Sequence, residues 1–348
     1  MATPASADPW LDEHYATPQT LVKIGRRRRL NLVIAGEGAP TVIFAPGLNE
    51  TSLSWARVQP AIALETRTVG FDKAGMGFSD PGPAPRTASA VVEDLRAALK
   101  AAAIAPPYIL AGHSAGGLYM RLFAFRYPGD VAGLVMVDSS SEYQYRRFAD
   151  ALGGDLAERT LRRQFLRAYA RLARLARVGA LTPGTADYER AVGPLPAMLT
   201  AAMRAARVAQ RTSPAFWRAL RSESAATYAA DGGSASSDEV AAARRSLGDL
   251  PLIVLTAGRP QPRPGETAAA TETRRRVWLA MHEEIAALST RGERRTVEGA
   301  GHFIPFERPQ AVIAAIQEVL ALARAGRSAQ RASARTGSFQ PGRMKWQV

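Results

Sequence analysis

Five short apolar runs, TVIFAPG, RTVGFD, YILAGHS, VAGLVMVD and PLIVLTAG, close on small or polar residues and alternate with stretches of helical period. Apolar runs this brief fit strands buried on both faces, and helices between them fit parallel crossovers. LVKI and LNLVIAG flank a basic turn at 25–29, and RRTVEG supplies a late strand. Helices are expected near Trp55, over 88–103 where Val91, Val92, Leu95 and Leu99 recur, over 115–127, around 277–288, and from Pro309 to about 325. The pattern predicts an α/β fold: a mostly parallel sheet with helices on both faces, its chemistry at the carboxyl ends of the strands.

Between about 139 and 248 the rhythm breaks. The stretch is rich in Ala, Arg and Leu, and LTPGTADY, VGPLP and DGGSASSDE divide it into several helices. Its helical period predicts buried positions at Leu161, Phe165, Leu172 and Leu175. The expected organisation is an N-terminal extension over 1–20, a core from 21–138 and 249–325, a helical insertion over 139–248 acting as a cap, and a basic, disordered tail over 326–348.

Charge follows the same division. The chain carries a formal +14, yet residues 143–247 hold 17 Arg, no Lys and nine acids, and residues 324–348 hold six bases and no acid. The rest is neutral, which argues against specific nucleic-acid reading, as does the lack of an aromatic-interleaved basic strand. The tail suits weak peripheral contact with an anionic membrane surface. Zero cysteines exclude disulfides, thiolate metal sites and a Cys nucleophile. No apolar run is long enough to span a bilayer, and the first residues lack the pattern of a secretory signal, so a cytoplasmic location is expected.

The chemistry centres on Gly112-His113-Ser114-Ala115-Gly116, a G-x-S-x-G that follows the strand YILA and opens a helix, the placement a nucleophile elbow requires. A serine hydroxyl needs a base. Of the four histidines, His14 and His282 read as solvated, and His113 as a local packing group with a possible substrate contact. His302, in the tight EGAGHFIP loop before the last helix, sits at the sheet edge where the base belongs. The orienting carboxylate is expected at Asp138, ending VAGLVMVD, with Glu266 the alternative in a stretch that otherwise has no acid. The order Ser, Asp, His is the one this architecture uses.

A tetrahedral oxyanion needs two amide donors, each contributing about 3 kcal/mol. Ala115 N–H and, in the Pro46-Gly47-Leu48-Asn49 loop, Leu48 N–H are the candidates; Asn49 is a turn former or a substrate contact. There is no G-x-x-x-x-G-K-[ST], no G-x-G-x-x-G after a strand and no H-E-x-x-H, so nucleotide and zinc sites lack their signatures. Gly75-Met76-Gly77 reads as a turn.

With FDKAGMGFS, GHSAG, VDSS and EGAGHFIPFERP in place, the chain from about 21 to 325 resembles the α/β-hydrolase superfamily, in particular its capped proline iminopeptidase-like and haloalkane dehalogenase-like group. The resemblance implies an eight-stranded sheet, a helical cap after the sixth strand, and cofactor-free hydrolysis through an acyl-enzyme. Two departures stand out. Pro46-Gly47 replaces the usual His-Gly, and the usual acid after the seventh strand is missing, which favours Asp138 after the sixth. Dehalogenases and epoxide hydrolases of the group use an aspartate nucleophile, and Ser114 argues against both. The expected activity is hydrolysis of a small-molecule carboxylic ester, with a lactone or small amide next. The same three residues could also serve C–C bond hydrolysis or perhydrolysis, or remain in a ligand-binding receptor that does no chemistry.

Overall fold

A computed structural model describes residues 8–154, 156–195, 198–227, 234–263 and 265–337, with the side chains of 157, 158 and 327–337 excluded. Eight strands form one sheet: β1 (Thr20–Gly25), β2 (Arg28–Ala35), β3 (Thr41–Ala45), β4 (Thr68–Phe71), β5 (Tyr108–His113), β6 (Val131–Val137), β7 (Leu252–Ala257) and β8 (Gly292–Val297). Their order is β1-β2-β4-β3-β5-β6-β7-β8. Pairings among β1, β2 and β4 are antiparallel, and every pairing from β4 through β3 to β8 is parallel.

The central strands are buried on both faces because successive side chains point to opposite sides. Ile43, Ala45 and Leu110 join one core with the helices Ala88–Ala101 and Ala115–Arg126. Val42, Phe44, Ile109 and Ala111 join the other, with Trp55, Ile62 and the helix beginning at Pro309. The expected α/β fold, eight strands and helices on both faces, is therefore what the chain adopts. The turn at Gly75 and Gly77 is present as well, both residues having positive φ.

Between β6 and β7 lie the inserted helices Gln144–Ala151, Leu156–Arg177, Ala186–Val192, Ala201–Arg211, Pro214–Thr227 and Ala235–Ala243. Leu172, Leu181, Phe216, Trp217 and Leu220 give them an apolar cluster of their own, which also takes in Met76. The last of them belongs to the sheet layer. Val240 enters the main core, and Ser236 and Glu239 accept the Ala88 and Ser89 amides at 3.0 and 2.7 Å, satisfying two donors that the start of a helix leaves open.

Several expectations fail for identifiable reasons. Leu161 and Phe165 are not core residues; they are 38% and 48% exposed, while Leu172, three turns along the same helix, is buried. His14 is buried and stacks on Trp10 at 3.9 Å, in a helix (Pro9–Tyr15) anchored by the Tyr15 hydroxyl, which donates to Gln59 Oε1 at 2.6 Å. His282 is fully buried despite its acidic neighbours, since adjacent helix positions point in different directions. The last helix, Pro309–Gly337, does not stop near 325: alanine and arginine are strong helix formers and carry it into the basic tail. Residues 338–348 lie outside the described part.

Candidate functional site

Ser114 caps the helix Ala115–Arg126 directly after β5, with φ 53° and ψ −122°, a strained conformation for a residue with a side chain. The strain is held from both sides of the chain. Ser114 N donates to Val137 O at 3.0 Å, and Ser114 O accepts from Ser140 N at 2.9 Å. The flanking glycines permit the close approach: a Cβ on Gly112 would lie 2.6 Å from Gly116 O, and one on Gly116 would lie 2.3 Å from Ala45 O. Arg121 on the same helix is fully buried, pairs with Glu142 at 2.5 Å and donates to Ser140 O at 2.6 Å, tying the segment after β6 to the turn.

Three of the residues expected to act together do meet. His302 Nε2 is 3.0 Å from Ser114 Oγ, and His302 Nδ1 is 2.6 Å from Asp138 Oδ2. Asp138 follows β6 with φ 41°, and its amide donates to Leu255 O at 2.7 Å, which continues the ladder toward β7. Its other oxygen accepts from Trp278 Nε1 at 2.9 Å and Ala257 N at 3.1 Å. Burial alone would push this carboxyl up, but the hydrogen bond and charge of His302, with His282 and Trp278, hold it well below the usual aspartate range.

Glu266 takes no part. It accepts from Arg274, Thr271 and Arg263 N, and chiefly through the Arg274 hydrogen bond its pKa falls to about 2. His113 is buried and is not among the residues that line the cavity. Its Nδ1 faces Glu50 Oε2 at 3.0 Å and its Nε2 donates to His302 O at 2.8 Å. Asn49 is the turn former, with φ 64°, and Arg211 donates to its Oδ1 at 2.6 Å and its carbonyl at 2.9 Å.

The loop after β3 passes close to Ser114: a Cβ on Gly47 would sit 3.0 Å from Ser114 Cβ. Leu48 lines the cavity in front of Ser114, and Ala115 N–H, in the first turn of its helix, has no intrahelical acceptor. Buried polar groups fix this loop. Glu50 Oε2 accepts from Gly47 N at 2.7 Å, and Gly47 O accepts from Lys73 Nζ at 2.6 Å. Lys73 also pairs at 2.5 Å with Glu223 of the inserted helix Pro214–Thr227, where the Tyr119 hydroxyl donates to the same oxygen at 2.6 Å.

Sequence reasoning did not single out Glu50, Lys73, Glu223 or Trp278. A signal existed for one of them: Trp278 and His282 are four apart, a polar-tipped pair on one helix face, and His282 is held by Thr256 Oγ1 at 2.7 Å and Ser139 O at 2.9 Å. A cavity of about 570 Å³ opens over Ser114, Asp138 and His302, walled by Leu161, Phe165 and Leu166 from the helix Leu156–Arg177. Among the described residues no cluster of His, Cys, Asp or Glu could hold a metal ion, and no helix is long and apolar enough to cross a membrane.

A family model described as the alpha/beta hydrolase fold matches residues 40–309. A Hormonema carpetanum protein described as a probable transporter, efuK, is 32% identical over 146 residues, covering 40% of this chain and 21% of that protein; the chain thus spans about a fifth of that relative's length. Among solved structures, the epoxide hydrolase CorEH is similar with a TM-score of 0.55 at 21% identity, covering 87% of this chain and 97% of that one. A candidate lipase (lip1) of Acinetobacter baumannii AYE is similar with a TM-score of 0.62 at 18% identity, covering 94% and 100%. At these identities the structural likeness speaks to the fold.

Proposed function

Because the chain belongs to the α/β-hydrolase fold family, we propose that it is a serine hydrolase that cleaves a carboxylic ester through an acyl-enzyme. The observation that carries this reading is the position of His302 between Ser114 Oγ at 3.0 Å and Asp138 Oδ2 at 2.6 Å. His302 Nε2 takes the hydroxyl proton as Ser114 Oγ attacks the ester carbonyl, and then passes it to the departing alkoxide. Water repeats the sequence against the acyl-enzyme, with His302 again the base. Asp138 keeps the Nδ1 proton on the imidazole and stabilises the imidazolium. The Leu48 and Ala115 amides receive the oxyanion, and no cofactor takes part in these steps.

Ser114 occupies the position that carries an aspartate in epoxide hydrolases of this group, so an epoxide would meet a hydroxyl where that chemistry uses a carboxylate. A fluorophosphonate probe and short 4-nitrophenyl esters test the proposal. Wild-type protein is expected to label and turn over, and Ser114→Ala to do neither. A folded wild type that neither labels nor hydrolyses any of the esters overturns it and favours a ligand-binding protein.

A further inference from the structure

The cavity over Ser114 has two chemically different sides. One is the helix Leu156–Arg177, where Leu161, Phe165 and Tyr169 recur every fourth residue and present an apolar stripe. The other is basic: Arg259 and Arg263 after β7, and Arg274 and Arg275 on the helix Ala268–Ala286, line it. Arg162, stacked on the Tyr145 ring at 3.3 Å, adds a fifth guanidinium. Among the described lining residues Asp138 is the sole carboxylate, and His302, Trp278 and Ala257 already occupy it.

Carboxylates outside the lining pair with three of these arginines. Arg259 pairs with Glu307 at 2.9 Å through Nη2, Arg274 with Glu266 at 2.7 Å, and Arg275 with Glu272 at 3.4 Å through Nη1. A guanidinium has five N–H donors in a fixed plane, so the single ion-pair bonds of Arg259 and Arg275 leave most of their donors able to turn elsewhere, while Arg274 spends three of its five on Glu266 and Gln261 O. Ion pairs that already hold these side chains lower the ordering cost of binding an anion. A solvated, merely soluble surface would not gather these charges around one cavity that holds a nucleophile and a long apolar wall.

We infer, on the reading of Ser114 as an ester-cleaving nucleophile, that the substrate class is an ester with an apolar body and a second, anionic group, such as a half-ester of a dicarboxylic acid. The apolar body lies along the Leu161 and Phe165 stripe, and the anion meets the arginines.

Mono-4-nitrophenyl adipate and 4-nitrophenyl hexanoate have the same chain length and differ in the terminal carboxylate. At low salt kcat/KM is expected to be about tenfold or more higher for the adipate, with the advantage shrinking as salt is raised. The Arg263→Gln/Arg275→Gln double variant is expected to bring the ratio toward 1. Arg171→Gln, which removes a charge from the same inserted region outside the cavity, keeps it. Turnover of both esters at a ratio near 1 overturns the anionic substrate and leaves the esterase reading standing; absence of labelling and of all turnover removes the esterase reading instead. Binding of the two esters to Ser114→Ala separates recognition from chemistry, and equal affinity there overturns the inference whatever the activity.

Discussion

Glu50 Oε2 accepts from the amide of Gly47 at 2.7 Å and faces Nδ1 of His113 at 3.0 Å, so one carboxylate oxygen joins the loop after β3 to the residue preceding Ser114. The other nitrogen of His113 donates to the carbonyl of His302. Glu50 therefore positions the Leu48 amide and the His302 backbone without touching the cavity. Glu50→Gln keeps the shape and loses the charge, and we expect kcat to fall by about tenfold or more with KM little changed, as for weakened oxyanion binding. Steady-state kinetics check this, and a change confined to KM would contradict it.

The same pair fixes a pH window for stability. Burial would raise Glu50, but His113 and the Gly47 amide bring it down to about 2. Burial would lower His113, but Glu50 and the His302 carbonyl raise it. A depressed glutamate stabilises the fold above its ordinary value of 4.5 and loses that contribution as pH falls toward 2. A raised histidine stabilises below its ordinary 6.5 and loses that contribution as pH rises through its folded value. The difference in unfolding free energy between wild type and Glu50→Gln is thus expected to be largest between 4.5 and 6.5 and to shrink on either side. Urea titrations across pH measure it.

Asp138 and Glu266 give a direct comparison. Asn tolerates the positive φ of Asp138 and can still accept from Trp278, but its amide would then donate toward His302 Nδ1 and impose the wrong tautomer. Asp138→Asn is expected to lower kcat by about 10⁴ while remaining folded. Glu266→Gln, which weakens the contacts to Arg274, Thr271 and Arg263 N and leaves Ser114, Asp138 and His302 untouched, is expected to change hydrolysis of a neutral ester by less than about threefold. Comparable losses in the two variants would contradict the assignment.

Much of the site was legible because its residues sit at junctions that strand and helix patterns already mark. Ser114 falls between β5 and its helix, Asp138 at the end of β6, and His302 in the loop after β8, and a parallel sheet brings those three ends to one edge. What the sequence does not reveal depends on rotation about a helix or on contacts distant in the chain. His282 and its neighbour Glu283 look alike in composition, yet one is buried against Thr256 and the other pairs with Arg294. Lys73 and Glu223 are 150 residues apart and meet only once the inserted helices fold over the sheet. Leu161 and Phe165 have the period of core residues because a cavity wall and a core impose the same apolar stripe on a helix.

The elbow has a steric test. Gly116→Ala would place a methyl 2.3 Å from Ala45 O, a backbone atom of a central strand that cannot yield. A destabilisation of about 3 kcal/mol or more is expected. Gly129→Ala, where a Cβ meets nothing within 4 Å, is expected to fall within about 0.5 kcal/mol of wild type. Denaturant midpoints distinguish the two.

Phe165 separates a cavity wall from a core. It is 48% exposed and stacks on Tyr169 at 6.2 Å, so truncation leaves no sealed void in the fold. Phe165→Ala is expected to cost less than about 1 kcal/mol of stability, well below the 3–5 kcal/mol of a buried Phe. It also removes apolar surface from the substrate's path, and a few buried methylenes at about 0.8 kcal/mol each correspond to roughly tenfold or more in binding. KM for 4-nitrophenyl hexanoate should therefore rise about tenfold or more while that for the acetate barely moves, because only the longer chain reaches the wall. Equal effects on both esters would place Phe165 in a structural role.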